Sequence, residues 1–436
     1  MMHRYVRLRP AFAASVIAAL AALAPVAPSA GVARLWAQEP AQHAQHEEGP
    51  GVRPGLIVFL HHPPAAIEGK RIGLITNQSG QDLQGHSTID LIHAMKGVKL
   101  VALFSPEHGI RGIEDRPVSS STDEKTGLPI YSLYGKTYKP TPEMLKDVDV
   151  LVYDIQDLGV RQYTFESTMA NAMQAAAEKG IPFYVLDRPD PVTGRIVEGN
   201  ITDPKFLSFV GIYPVASRHG LTIGELARYY NAREKIGAQL TVVPMEGWKR
   251  GMWWQDTGLP WVNPSPNIRR PEAEVIYPGS VFFEGTNLSE GRGSPLPLEQ
   301  VGAPWLKNVE VARAMNALKL PGVRFEAVDF HVDTTGAKYR GQDVKGIRFV
   351  VTDRNTFRPI RSALLLMNEI KRQQPDQFQW RGPNQREPRM YTLDRLAGTD
   401  ELRKSIDAGT LPALLKRWDA QDAEFERLRR PYLLYR

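Results

Sequence analysis

Three apolar runs in the first half of the chain each end on a short turn dense in acids, amides and arginines. Val98 to Phe104 leads into Ser105-Pro106-Glu107-His108-Gly109. Val150 to Tyr153 leads into Asp154-Ile155-Gln156-Asp157 and on to Arg161 and Tyr163, and Phe183 to Leu186 leads into Asp187-Arg188-Pro189. Near-continuous apolar runs of this length read as parallel strands covered on both faces, expected over Val98 to Phe104, Val148 to Ile155 and Ile181 to Leu186. The spacing predicts helices between them: Ser87 to Met95, with Ser87 or Thr88 as N-cap, a short one over Thr141 to Lys146, and the Ala- and Met-rich Thr164 to Lys179, closed by Gly180. Strands alternating with helices imply a doubly wound sheet with right-handed crossovers. Ligands of such sheets bind outside the carboxyl ends of the strands, so the three polar turns should share one edge.

The pattern continues with a strand at Arg71 to Thr76 and a capping box, Thr222-Ile223-Gly224-Glu225, opening a helix to about Lys235. A strand follows at Leu240 to Pro244. From Trp248 to Pro271 periodicity is lost in a stretch rich in Trp, Pro, Gly and Asn, where we place a hinge. The four tryptophans there, Trp248, Trp253, Trp254 and Trp261, suit either packing or stacking on sugar rings. Beyond it we expect a strand over Val275 to Glu284, a polar loop over Gly285 to Gly293, helices over 309–318, 360–373 and 411–427, and strands over 323–328 and 346–351. The expected class is α/β: a Rossmann-like, doubly wound, mostly parallel sheet over 55–250, plus a second, smaller α/β domain over 251–436 completing the cleft.

A chain of 436 residues, 42% of them hydrophobic, can build a sizeable core. Arg4, Arg7 and Arg9 precede the short apolar run Ala11 to Ala24, then small residues. That is an export signal over 1–30, too short for a comfortable membrane span. A polar, Pro- and Gly-rich linker over 31–54 follows. The expected destination is periplasmic or secreted, with no stable membrane insertion after cleavage. The absence of cysteine rules out disulfides, thiolate metal sites and cysteine nucleophiles. The net charge of +6 is spread along the chain with no dense basic run, so nucleic acid is not an expected partner.

Several chemistries fail on motif. The first strand-to-helix turn, Asn77 to Asp82, lacks the glycine pattern that cradles a pyrophosphate, so no dinucleotide cofactor is expected. Gly135-Lys136-Thr137 resembles the end of a phosphate-binding loop, but Ile130 stands where its first glycine belongs. His108, Asp154 and Glu284 match no dense metal-ligand spacing, and no metal is expected. What remains is acid–base chemistry. Glu107, on its Pro/Gly-flanked strand end, is the first candidate for a general acid, and capping the next turn is its structural alternative. Asp157 with Arg161 reads first as a loop-locking pair, with ligand binding as the alternative. Arg188 sits on a rigid double-proline turn, and an arginine in the loop from Glu284 to Gly293 is placed to clamp a carboxylate.

Long strings carry a resemblance: LITNQSG (74–80), LFSPEHGIRG (103–112), VLVYDIQDLGVRQYTF (150–165), VLDRPDPVTG (185–194) and YPGSVFFEGTNLSEGRG (277–293). On these the chain resembles the bacterial family once known as DUF1343 and now associated with exo-β-N-acetylmuramidases of NamZ type. The resemblance implies release of terminal N-acetylmuramic acid (MurNAc) from peptidoglycan-derived saccharides without a nucleotide cofactor. It maps the expected catalytic residues onto Glu107, with His108 tuning it, and Asp154 or Glu284 as the second carboxylate. Expected substrate-binding positions are Asn77, Gln156, Asp157, Arg161, Tyr163, Asp187, Arg188, Asn287, Glu290 and Arg292. Arg161, Arg188 or Arg292 would hold the lactyl carboxylate. The alternatives are a non-catalytic binder of cell-wall sugars and a metal-dependent hydrolase in the same cleft.

Overall fold

The computed structural model describes residues 51–112, 119–383 and 388–436. The expected export signal, and the linker as far as residue 50, lie outside them. The last linker positions belong to the fold. Val52 is buried, and Arg53 exchanges two backbone hydrogen bonds with Glu246, of 2.9 and 3.0 Å.

Among the described residues the strands are β1 (Arg71–Thr76), β2 (Lys99–Ser105), β3 (Ser121–Thr122), β4 (Pro129–Ser132), β5 (Val150–Asp154), β6 (Phe183–Leu186), β7 (Glu198–Ile201), β8 (Ala216–Arg218), β9 (Leu240–Val243), β10 (Gln300–Ala303), β11 (Val323–Val332) and β12 (Gln342–Val351). The helices are α1 (Gly55–His61), α2 (Thr88–His93), α3 (Phe165–Lys179), α4 (Ile223–Arg233), α5 (Pro271–Ser280), α6 (Asn308–Ala317), α7 (Pro359–Gln373), α8 (Thr392–Ala397), α9 (Glu401–Asp407) and α10 (Leu411–Arg429). Seven strands form the main sheet in the order β3-β4-β2-β1-β5-β6-β9. All its pairings are parallel except that of edge strand β3 with β4. The order reverses at β1, which pairs with β2 on one side and β5 on the other, so the switch-point crevice opens where those strands end.

Period-two alternation divides this sheet between two apolar layers. In β5, Val150 and Val152 pack with Leu56 and Phe59 of α1 and Ile89 and Ile92 of α2. Leu151 and Tyr153 pack on the other face with Met169 and Met173 of α3 and Leu226 of α4. Ser87 accepts from the Ile89 N–H to start α2, the Thr222–Glu225 capping box starts α4, and Gly180 ends α3 at φ 74°. Each closes a helix end that would otherwise leave backbone groups orphaned.

The smaller sheet is antiparallel, in the order β10-β12-β11. Helix α7 buries Ile360, Ala363, Leu364, Met367 and Ile370, the stripe expected of an amphipathic helix. The layer that covers one face of the large sheet continues without a break through α5, α7, β12 and α10, so residues 248–271 do not separate two cores. No helix of the described residues is long and apolar enough to cross a membrane.

Two elements differ from expectation. Val275 to Glu284 is not a strand. Helix α5 runs from Pro271 to Ser280, and a 3-10 turn from Val281 to Gly285 follows. Pro271 occupies a first helical position, where its missing N–H costs nothing, and Glu272 and Glu274 face the positive helix end. Ala273 to Ser280 are all buried, and a helix buried all round loses the polar stripe that would distinguish it from a buried strand. Thr141 to Lys146 is a run of turns, closed by Leu145 N–H to Thr141 O at 3.2 Å, not a helix.

Candidate active site

The β2 end turns sharply. Gly109 N–H bonds the Pro106 carbonyl at 3.1 Å, and His108 and Gly109 take successive left-handed conformations, φ 69° and 75°. A non-glycine residue in that region stores strain, which the surroundings must hold. The turn buries His108 and leaves Glu107 half-buried on the wall of a cavity of about 610 Å3. That volume is in the range of small-molecule sites. Thr164 stands at the N-cap of α3, yet its hydroxyl does not cap its own helix. It donates a short hydrogen bond to Glu107 Oε2. One carboxyl oxygen of Glu107 is thereby oriented and the other is left for a ligand.

The segment after α5 supplies Glu284, on its 3-10 turn, and Arg292, in the loop that follows. Arg292 Nη1 bridges Glu284 Oε1 at 2.8 Å and Glu290 Oε1 at 3.0 Å. Behind it Lys338 Nζ donates to Glu290 Oε2 at 2.8 Å. Burial alone would push Glu290 up, but Lys338 and Arg292 reverse that and hold it at about 2. Burial likewise opposes the Arg292 charge, and the two carboxylates outweigh it and raise its pKa. Tyr277, within electrostatic reach of both Glu284 and Glu107, is kept neutral chiefly by burial. Its ring meets that of Tyr163 edge-on at 6.1 Å, and both line the cavity. A further wall is aromatic. Tyr134, Tyr138 and Phe209 touch one another with centroids 4.5 to 5.9 Å apart.

Among the sequence candidates, Glu107, His108, Tyr163, Glu284 and Arg292 line this cavity. Glu290 sits behind Arg292. The others are placed elsewhere. Asp154 is fully buried and held by Arg188 through two bonds of 2.6 and 2.8 Å, and Thr88 donates to it at 2.5 Å. That pair lies by a separate small depression lined by Gln81, Gln156 and Trp254. Arg161 is sealed, with its terminal nitrogens on the carbonyls of Asn200, Val215, Leu396 and Ala397. Its expected partner Asp157 instead accepts from Gly159 N–H at 2.8 Å. Asn77 accepts from Ser79, Gln156 donates to the Asp157 and Pro189 carbonyls, and Asn287 pins the loop after α7 at Gln377 and Gln379. Asp187 gathers donors from Thr222, Gly224 and Tyr435. These bonds are those of a scaffold. The tryptophans also pack: Trp248, Trp253 and Trp254 are buried and none of the four lines the cavity.

Asp157, Glu166 and His219 bring ligand atoms within 4.8 Å of one another. The imidazole does not suit a metal. Leu221 N–H donates to its Nδ1 at 3.1 Å, so Nε2 carries the proton and bonds Glu166 Oε1 at 2.7 Å. Burial raises Glu166 to about 8 and Asp157 well above its ordinary value.

Thr164, Tyr134, Tyr138, Phe209, Tyr277 and Arg395 also line the cavity and were not singled out from sequence. Only the aromatic spacing of Tyr134 and Tyr138, inside a polar loop, carried a signal.

The cavity at the strand ends of the doubly wound sheet is walled by carboxyl groups, guanidinium groups and aromatic rings, a lining that suits glycoside hydrolysis, and by its relatives the chain is a glycoside hydrolase. Family models described as exo-β-N-acetylmuramidase NamZ, N-terminal and C-terminal, match residues 72–272 and 275–435, and the chain belongs to that family. It is 44% identical over 408 residues to the peptidoglycan β-N-acetylmuramidase NamZ of Bacillus subtilis strain 168, covering 93% of this chain and 96% of that one. Two DUF1343 family crystal structures from Bacteroides fragilis NCTC 9343 share the fold. They have TM-scores of 0.81 and 0.67 and identities of 37% and 30%, each covering 88% of this chain and 99% of the other.

Proposed function

We propose that the protein is an exported, exo-acting glycosidase that releases terminal MurNAc from peptidoglycan-derived saccharides. The observation that carries this reading is Glu107, held by Thr164 on the wall of a sugar-sized cavity that also presents Glu284. Glu107 protonates the glycosidic oxygen through the carboxyl oxygen that Thr164 leaves unoccupied. Glu284 is the second carboxylate, acting on the anomeric carbon or its water. Asp154, tied up by Arg188 away from the cavity, is not assigned that role. The family supports the substrate class, and the basic, apolar N-terminus supports export.

The test is release of free MurNAc from a MurNAc-GlcNAc disaccharide, beside Glu107→Gln. We expect monosaccharide release by the wild type and a loss of ~10²–10⁴-fold in the variant, the usual contribution of a general acid. A folded wild type without turnover would overturn the reading. Export is tested separately: a shortened form outside the cytoplasm is expected, and a full-length cytoplasmic form would refute it.

A further inference from the structure

We infer that Arg395 reads the substrate's carboxylate, and so sets the preference for a 3-O-lactyl sugar over N-acetylglucosamine (GlcNAc). This rests on the reading given under Proposed function. The inference follows from how the arginines near the site are spent. The terminal nitrogens of Arg161 are taken by backbone carbonyls, Arg188 is neutralised by Asp154, and Arg292 by Glu284 and Glu290. Arg395 lines the cavity, and among the described residues its guanidinium has no hydrogen-bond or ion-pair partner. Its Nε is buried and unsatisfied. The adjacent acid does not neutralise it, because Asp394 is held bidentately by Arg403, at 2.9 and 2.7 Å.

Its placement is built. Helix α8 lies directly on the 3-10 turn that carries Glu284. A Cβ on Gly285 would come within 2.7 Å of Leu393 Cα, so only glycine permits the approach. That contact sets Arg395 on the same wall as Glu284. A partly buried cation without a counter-ion is costly, and its buried Nε–H adds the cost of an unmade hydrogen bond. A ligand carboxylate in the cavity satisfies both, with the bidentate geometry a guanidinium favours. MurNAc differs from GlcNAc by the lactyl ether, whose carboxylate is the only charge on the sugar.

The test compares kcat/KM for an aryl β-MurNAc glycoside, its lactyl methyl ester and the aryl β-GlcNAc glycoside. The ester keeps the bulk and removes the charge. Wild type should favour the acid over the ester by ~10²-fold, since a site built around a charged partner rejects the analogue lacking it. In Arg395→Gln that ratio should fall to near one, and Arg395→Lys should keep part of it. If Arg395→Gln does not fold, the Lys variant and the wild-type acid-to-ester ratio decide the matter. A wild type indifferent to esterification, or an Arg395→Gln ratio within about threefold of wild type, would overturn the assignment while leaving the function intact. A wild type inactive on every muramyl substrate would overturn the function, and this inference with it.

Discussion

Lys338→Met tests how the second carboxylate is held. Lys338 Nζ donates to Glu290 Oε2 at 2.8 Å, to Leu288 O at 2.5 Å and to Phe283 O at 3.0 Å, with its side chain only 12% exposed. Lys338 and Arg292 together hold Glu290 at about 2, against an ordinary 4.5. At ~1.4 kcal/mol per unit, that shift is about 3 kcal/mol of stability at neutral pH. The sign follows from a depressed acid: the contribution is complete above pH 4.5 and is lost as pH falls through about 2. Methionine keeps most of the volume. Phe283 O keeps its bonds from Thr286 N–H and hydroxyl, so the loss is that of the Glu290 partner and of the donor to Leu288 O. We expect Lys338→Met to cost ~2–3 kcal/mol at pH 7 in urea titrations, and less at pH 3.5. Activity should fall about tenfold in kcat, because Arg292, left alone with Glu290, is drawn from Glu284. Glu290→Gln in the same chain should restore most of the stability, since no unpaired charge then stays buried. A single-variant cost under ~1 kcal/mol, or additive costs in the double variant, would refute the network reasoning.

Thr164→Val should lower kcat by about tenfold with KM little changed, and Thr164→Ser should keep activity, both read in the MurNAc-release assay; an unchanged kcat in Thr164→Val would remove Thr164 as the residue that orients Glu107. Phe209→Ala or Tyr138→Ala should raise KM for disaccharide by roughly threefold to tenfold through loss of ring stacking, and steady-state kinetics showing a kcat effect alone would contradict that placement. Asp422 is raised to about 8, first by burial and then by Glu198 and Asp419. A raised acid contributes its stability fully below pH 3.8 and loses it as pH rises through about 8, so Asp422→Asn should stabilise the protein at pH 8 by on the order of 3 kcal/mol, allowing for partial exposure. Thermal melts from pH 5 to 9 check this, and a variant equally or less stable at pH 8 refutes it.

How far the site could be read from the chain depended on the range of the interaction that makes each residue functional. The strands of the large sheet are local facts: Val150 to Tyr153 is apolar because both faces are buried, and the run shows it. The position of Glu107 follows as locally, from a proline and a glycine flanking a strand end. The same logic failed at α5, where complete burial erased the period that separates helix from strand. It failed differently at Arg161. A loop arginine beside two acids looks like a ligand clamp, yet its terminal nitrogens bond carbonyls brought from β7, the segment before β8 and α8. No local pattern announces carbonyls more than thirty residues away. Thr164 and Arg395 are the converse case. Thr164 is an ordinary N-cap residue until a turn 57 positions earlier is folded beside it. Arg395 is the one arginine of a short helix and looks like any surface cation, and what distinguishes it is the partner it lacks once Asp394 has been taken by Arg403 and Glu284 by Arg292. Charge recognition at this site is thus a remainder left by the ion-pair network, and a remainder can be computed only once the whole network is in place.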